Sequence, residues 1–270
     1  MAVAVLAVRN EERFIGGAID HLAAQGIGVH VIDNGSTDAT VAAVEKRIGR
    51  GVVGLEHVEF DGVYRWRSLL RRKEELFREL DADWVLHLDA DERPTPPPGF
   101  ATLAEALAAA AAEGFGAIEF DEFTFVPTIE EPEHDHADFE ATLRTYYCFR
   151  PGPAHLVRGY RPGVGGPIEI EWSGGHRPRE DPARRVWPTT FALRHYLFLS
   201  AEHAAEKYGR RRFDDHELGD GWHSWRADVD EIGDRIPLPP ARLLARDDGL
   251  GRLDRSNPWT RHWLDQVRGV

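Results

Sequence analysis

Four short apolar runs alternate with helical patterns over the first 90 residues. Ala2–Val8, Val29–Ile32, Val52–Phe60 and Trp84–Leu88 are rich in small, β-branched and apolar residues, as strands buried in a parallel sheet are. Between the first two, Phe14, Ile15, Ala18, Ile19 and Leu22 recur at helical spacing, and Gln25-Gly26 closes that helix. Thr37 or Asp38 caps the next helix, which carries Val41, Val44 and Ile48. Arg65–Leu80 is a basic amphipathic helix with Leu69, Leu70, Leu76, Phe77 and Leu80 on its apolar face. Such alternation predicts an α/β fold: a doubly wound, mostly parallel sheet flanked by helices. In these sheets ligands bind beyond the carboxyl ends of the strands. Arg9, Glu12, Asp33, Asp89 and Asp91 all fall there, so their loops are expected to converge on one crevice.

The fourth run ends in Asp89-Ala90-Asp91-Glu92, and Arg93-Pro94 followed by Pro96, Pro97, Pro98 and Gly99 is expected to stop the strand. If the strand pattern held through both aspartates, their side chains would share one side. Two carboxylates held together are costly unless a cation sits between them, and oxygen donors favour Mg2+ or Mn2+. Equally, aspartates at strand ends cap turns and helices without any metal.

Beyond this half, Ala101–Glu113 reads as an Ala-rich helix ended by Gly114 and Gly116. Ala117–Phe125 alternates apolar residues with Glu119, Asp121 and Glu122, which predicts a strand with one wet face. The acidic, His-containing run Glu130–Glu140 reads as a solvated loop in preference to a chelating cluster. Leu143–Phe149 is a further strand, and the Gly-, Pro- and Arg-rich stretch Arg150–Gly175 reads as long loops. Phe191–Leu193 is a short strand leading to Arg194-His195-Tyr196, and a helix runs from Ser200 through Lys207 to Arg212. The rest, with Trp222, Trp225, Trp259 and Trp263 among many charges, reads as an irregular, partly helical tail. The expected division is a domain over 1–200, with a nucleotide-binding half over 1–100 and an acceptor half over 101–200, and a helical extension over 201–270.

A hydrophobic fraction of 42% in 270 residues supplies a sizeable core. The net charge of −13 argues against a nucleic-acid partner held by phosphate neutralisation. One cysteine, Cys148, excludes an internal disulfide, and no signal peptide or membrane-spanning run is visible. The expectation is a soluble, cytoplasmic protein.

Val5-Leu6-Ala7-Val8-Arg9-Asn10-Glu11-Glu12, Val31-Ile32-Asp33-Asn34-Gly35-Ser36-Thr37-Asp38 and Leu88-Asp89-Ala90-Asp91-Glu92, in this order and each at a strand end, resemble a family 2 glycosyltransferase of the GT-A (Rossmann-like) fold. His195, after its strand and before Ser200, is similar to the late histidine that joins the aspartates on the metal in many such enzymes. The resemblance covers the first half of the chain and thins after Gly116. It implies a metal-dependent transfer from a nucleotide-sugar, a UDP-sugar above all, to the hydroxyl of a small-molecule or glycan acceptor, with Mn2+ or Mg2+ as cofactor. It further implies Asp91 as direct metal ligand, Asp89 on the ribose or a metal-bound water, and His195 completing the metal shell. Asp33 would accept from the base; Ala7, Arg9, Glu12 and Ala90 would line the nucleotide; Arg72 would approach base or phosphates. Each has a bland counterpart: a core histidine for His195, an Asx-turn for Asp33, a helix first turn for Glu12 and a solvated helix face for Arg72.

An inverting transferase needs a base near the acceptor hydroxyl. The adjacent pair Glu180-Asp181 is the candidate, at a spacing that departs from the family pattern; Asp121, Glu122 and His176 are alternatives. A phosphatase with an Asp-x-Asp pair would place that pair after the first strand, where Arg9-Asn10 stands. A nucleotidyltransferase would place a Gly-rich loop there. The remaining alternative is a catalytically inactive module that binds a nucleotide-sugar or glycan.

Overall fold

A computed structural model describes residues 1–152, 155–209, 211–223, 226–227, 236–249 and 251–267. Its strands are β1 (Ala2–Val8), β2 (Ile27–Asp33), β3 (Val52–His57), β4 (Trp84–Leu88), β5 (Glu92–Thr95), β6 (Ala117–Phe125), β7 (Thr145–Phe149), β8 (Leu156–Tyr160), β9 (Phe191–Tyr196) and β10 (Ala245–Arg246). Its helices are α1 (Ile15–Ala24), α2 (Thr40–Glu45), α3 (Trp66–Glu79), α4 (Leu103–Ala112), α5 (Phe139–Thr142), α6 (Ala201–Tyr208), α7 (Asp215–Gly219) and α8 (Trp263–Gln266). The chain packs as two units, each discontinuous in sequence. One comprises 1–61, 66–121 and 154–193; the other comprises 62–65, 122–153 and 194–270. These borders run within β6 and β9.

In the first unit the strand order is β3-β2-β1-β4-β8, with the first half of β6 on β8. The pairs β1–β2, β1–β4 and β2–β3 are parallel, and β8 runs antiparallel to β4. The chain winds outward from β1 to β3, then crosses back through α3 to lay β4 on the other side of β1. Strand order therefore reverses between β1 and β4, and the carboxyl ends of these two strands bound the crevice where doubly wound sheets bind ligands. Register fixes what stands there: Leu6 faces Leu88, so Asp89 follows level with Ala7, and Val8 faces Asp33. Asp33 and Asp89 thus flank β1 from either side, about two strand spacings or ~10 Å apart.

The helices obey their periodicity. Ile15, Ala18, Ile19 and Leu22 are the buried face of α1, and Thr102 caps α4 by accepting from the Glu105 N–H. On α3 the buried face is Leu69, Leu70, Lys73, Leu76 and Phe77, so a lysine occupies the middle of the apolar stripe. In the second unit, β7 pairs with residues 122–125 of β6 and carries β10 on its other side. Tyr147, Phe149, Leu197, Phe198 and Tyr208 form its apolar core, against which Trp259 and Trp263 pack. Trp225 lies outside the described residues. Among the described residues no helix is long and apolar enough to cross a membrane.

Several expectations are corrected. The prolines do not end pairing after Asp91: Glu92–Thr95 forms β5, which pairs with β9, since an edge strand tolerates Pro94. The acids of β6 do not form a wet face, because Asp121 is 6% and Glu122 5% exposed. The stretch 150–175 is not all loop: Leu156–Tyr160 is β8, buried between β4 and β6. The helix after Ser200 ends at Tyr208, and the acidic run contains a buried His134 that shares Thr142 with His136.

Gly159 in β8 is required by contact. A Cβ there would lie 2.4 Å from Ile118 Cγ1 on the neighbouring β6. Gly159→Ala is predicted to destabilise the protein by about 1–3 kcal/mol in urea unfolding; a stability equal to the parent's would show that β6 and β8 do not meet in this register.

Candidate active site

The turn that follows β4 is closed on itself. The Glu92 N–H donates to the Asp89 carbonyl at 3.3 Å, and the Glu92 carboxylate accepts from the Asp89 N–H at 2.8 Å. Arg93 holds the same turn from below, donating to the carbonyls of Ala90 (2.8 Å), Glu92 (2.9 Å) and Phe14 (3.2 Å). Ala90, Asp91, Glu92 and Arg93 are all buried, whereas the Asp89 side chain is 33% exposed. The two aspartates are therefore placed by a locked turn and not by a continued strand.

Two further cations meet this turn. Arg158 donates to Glu92 Oε1 at 2.6 Å and stands 3.9 Å from Asp89. It reaches them because it is the extra residue of a β-bulge: β6 pairs Ile118 with Gly159 and Glu119 with Val157, skipping Arg158. Lys73 Nζ stands 3.7 Å from Asp89 Oδ1 and donates to His87 Nδ1 (3.0 Å) and to the Leu88 carbonyl (3.1 Å). Burial pulls the Lys73 ammonium down to about 8, with Asp89 opposing that shift, so the amine is mostly charged at neutral pH. The His87 imidazole is held well below its ordinary range by burial and then by the Lys73 charge, so it is neutral. It accepts at Nδ1, which puts its proton on Nε2.

The loops after β1 and β2 brace each other. Asn10 takes the left-handed conformation at φ 55°. From there its Oδ1 accepts from the Thr37 N–H at 2.8 Å, while its own N–H donates to Ser36 Oγ at 3.0 Å. Glu12 accepts from the Ala39 N–H at 2.9 Å, supplying α2 with the cap that Ala39 itself lacks. Arg9 donates to the carbonyls of Asn34 (2.9 Å) and Gly35, and its guanidinium stacks 3.4 Å from the Phe60 ring centroid. Asp33 is 3% exposed; it accepts from the Ser36 N–H at 3.2 Å and faces His57 Nδ1 at 3.2 Å. Asp33 thus holds the turn that follows its own strand, by a bond three residues on where an Asx-turn bonds two residues on. Ala7 lies on β1 opposite Ile32.

Arg72 stands apart from this edge. It binds Glu56 through two bonds of 2.9 Å and also Glu75 and Glu79, which ties α3 to β3 and raises its pKa. Asp181 spends both oxygens on a loop, accepting from the Gly166 N–H (2.7 Å) and the Ala183 N–H (2.9 Å), and these bonds lower its pKa. Glu180 is exposed. Asp121 accepts from Thr190 Oγ1 at 2.9 Å. His176 is exposed and stacks on His155 with centroids 4.9 Å apart.

In the second unit, Glu122 Oε1 lies 2.7 Å from His195 Nδ1 and 3.0 Å from Thr124 Oγ1. A carboxylate on Nδ1 fixes the ring and its tautomer, leaving Nε2 as the lone-pair nitrogen, the arrangement by which proteins orient metal-binding or proton-accepting histidines. Among the described residues no three His, Cys, Asp or Glu side chains gather as a metal site. The donor set still fits a hard divalent ion, because Mg2+ is commonly held by one or two carboxylates together with substrate phosphates.

Lys73, Glu92 and Arg158 were not foreseen. Lys73 carried a signal, since it falls at the helical spacing of Leu69, Leu70, Leu76 and Phe77. Arg158 carried none, because a bulge is a property of pairing.

A sequence profile described as Glycosyl transferase family 2 matches residues 3–148. Among solved structures, the chain is similar to S. aureus TarS 1-349 in complex with UDP, at 14% identity and a TM-score of 0.48, over 76% of this chain and 66% of that one. It is also similar to glucosyl-3-phosphoglycerate synthase from Mycobacterium tuberculosis in complex with Mn2+, UDP and glucosyl-3-phosphoglycerate, at 23% identity and a TM-score of 0.30, over 45% of this chain and 44% of that one. The chain thus spans less than two thirds of either. No curated protein sequence matches it.

Two measurements probe the turn's supports. Arg158→Met leaves a carboxylate that is 2% exposed without its cation, and is predicted to cost about 3–5 kcal/mol, whereas Arg158→Met with Glu92→Met falls closer to the parent. Equal losses in the single and double variants would refute the pairing. His87 stays neutral when folded but takes a proton near 6.5 when unfolded, so its contribution to stability is lost as pH falls below 6.5. His87→Gln, which keeps an acceptor for Lys73, is predicted to flatten the acid limb of stability by up to about 1.4 kcal/mol per pH unit. His30 and His134, also lowered by burial, contribute further slope in the same range, and carboxylates lowered by their partners, such as Asp20, Asp181 and Asp247, add theirs at lower pH. An unchanged slope would contradict a buried neutral His87.

Proposed function

Since residues 3–148 match its profile, the chain belongs to glycosyl transferase family 2, and on that premise we propose that it moves a sugar from a UDP-sugar to an acceptor hydroxyl, with Mn2+ or Mg2+ held at Asp91. The observation that carries the proposal is the locked turn Asp89–Glu92 at the point where strand order reverses. Bound there, the cation would neutralise the charge that develops on the departing diphosphate. Asp91 would be its direct protein ligand. Asp89 would hold the ribose or a water on the ion, and His195, held by Glu122, would complete the shell.

The chain's own groups prepare the rest. Lys73 and Arg158 place fixed positive charge beside Asp89, in a setting that needs no reorganisation as the leaving group gains charge. Asp33 would accept from the ring N–H of uracil, a donor that cytosine lacks. Arg9, braced on Phe60, would wall the base, with Ala7 and Ala90 as backbone neighbours. Glu12 and Arg72 would act through structure, the first by capping α2 and the second by tying α3 to β3. Of the candidate bases, Asp121 has the stronger support. It is buried on a strand and held by Thr190, whereas both oxygens of Asp181 serve its loop.

A module that binds a nucleotide-sugar without turnover is the second reading, favoured by the candidate base Asp181, whose oxygens both serve its loop. Donor hydrolysis or transfer with Mn2+ supports the enzyme; donor binding with no turnover across a panel of nucleotide-sugars supports the module. Asp91→Ala is predicted to abolish Mn2+-dependent UDP binding in calorimetry while thermal unfolding stays cooperative. Parent-like binding by that variant would remove Asp91 from the site.

A further inference from the structure

The segment 150–190 has seven arginines against four acidic residues, a basic island in a chain of net charge −13. Part of it is fixed firmly to α3. Glu74 accepts from the Ile170 N–H (2.6 Å) and the Glu171 N–H (2.8 Å). Arg67 and Arg71 hold Glu171 at 3.2 and 2.8 Å, and Trp66 Nε1 donates to the Gly174 carbonyl at 3.0 Å. Gly175, at φ +92°, packs so closely on β4 that a Cβ there would lie 2.6 Å from His87 Nε2. His87 is two residues from Asp89, so this loop is anchored at the carboxyl edge of the sheet.

The anchored loop presents a large aromatic outward: Trp172 is 40% exposed. One exposed ring is ordinary in itself; what sets this one apart is the charge placed on it. Two guanidinium groups stand over it, Arg177 at 5.1 Å and Arg179 at 5.6 Å from the ring centroid. The Arg177 backbone is fixed beside the ring by Ser173, whose Oγ accepts its N–H at 3.0 Å and donates to its carbonyl at 2.6 Å. Arg179 pairs with Glu169 at 2.9 Å, while Arg177 is in no salt bridge among the described residues. The exposed part of that ring offers an apolar surface for the C–H face of a pyranose, and Arg177 beside it offers a fork for an acid group.

We propose that Trp172, Arg177 and Arg179 form a subsite for an acidic saccharide, one carrying a carboxylate or a phosphate, that holds a remote part of the acceptor. This rests on the transferase reading above. Energy gained on such a remote group serves to position the acceptor at the reacting centre.

The test is ligand-observed NMR titration without donor, using glucuronate, glucose 6-phosphate, glucose and inorganic phosphate as probes. The parent protein is expected to bind the two sugar acids in preference to glucose and to inorganic phosphate. Trp172→Ala and Arg177→Ala are each expected to weaken that binding about fivefold or more. Arg185→Ala, an exposed arginine stacked on Phe115 instead, is expected to leave it unchanged. Preference for glucuronate alone or glucose 6-phosphate alone identifies which acid the subsite takes. Parent-like binding in both variants, glucose bound as tightly as the acids, inorganic phosphate bound as tightly as glucose 6-phosphate, or no binding of either acid overturns the proposal. UDP binding by the parent separates the two failures: UDP bound without the acids sinks the subsite alone, whereas UDP unbound with Mn2+ sinks the transferase reading.

Discussion

A buried ion pair of 2.6 Å between Arg158 and Glu92 fixes the edge on which the rest of the first unit's chemistry depends. Such pairs are weak sources of stability, because desolvating two charges offsets most of their attraction. Their use here is geometric. Glu92 has one oxygen on Arg158 and the other on the Asp89 N–H, so the pair ties β8 to the turn after β4. Arg93 closes the turn from the other side through three carbonyls. What would be a free loop of two aspartates becomes a rigid presentation of them. The conformational entropy is lost on folding and not when a ligand binds.

The same edge shows how an acidic chain can host anionic chemistry. Its net charge of −13 repels phosphates at long range, yet Lys73 and Arg158 stand within 4 Å of Asp89. Both are buried, so salt and bulk water screen them little. Burial lowers the proton affinity of Lys73, and Asp89 opposes that loss while His87 and the Leu88 carbonyl accept its hydrogen bonds. On the other flank of β1, Asn10 and Glu12 join the loops after β1 and β2, and Arg9 reaches across to the Asn34 and Gly35 carbonyls.

Much of the fold was legible because its signals are local. The boundaries of β1, α1, β2 and β4 follow apolar runs and their flanking turns closely. Strand–helix alternation announces a parallel sheet with Asp33 and Asp89 on one edge, whereas the order β3-β2-β1-β4 is visible only in the pairing. What escaped depends on pairing at long range. Leu156–Tyr160 sits among glycines and prolines, contains Arg158 and Gly159, and becomes a strand because β4 and β6 flank it. Asp121 and Glu122 alternate as a wet face would, yet Thr190 and His195 reach them from later in the chain and satisfy them in burial. Arg72 and Lys73, neighbours on one helix, have opposite fates: the first faces three glutamates and the second the core. Periodicity distinguishes them, composition does not.

The central claim is that the turn Asp89–Glu92 is set before any ligand arrives and offers Asp91 to a cation on a diphosphate. A crystal structure of the protein with Mg2+ and UDP tests it most directly. The account predicts a Mg2+ ion about 2.1 Å from an Asp91 oxygen, with Glu92 still paired to Arg158 and the turn unmoved. A turn that refolds to meet the nucleotide, or a cation bound without Asp91, would contradict it.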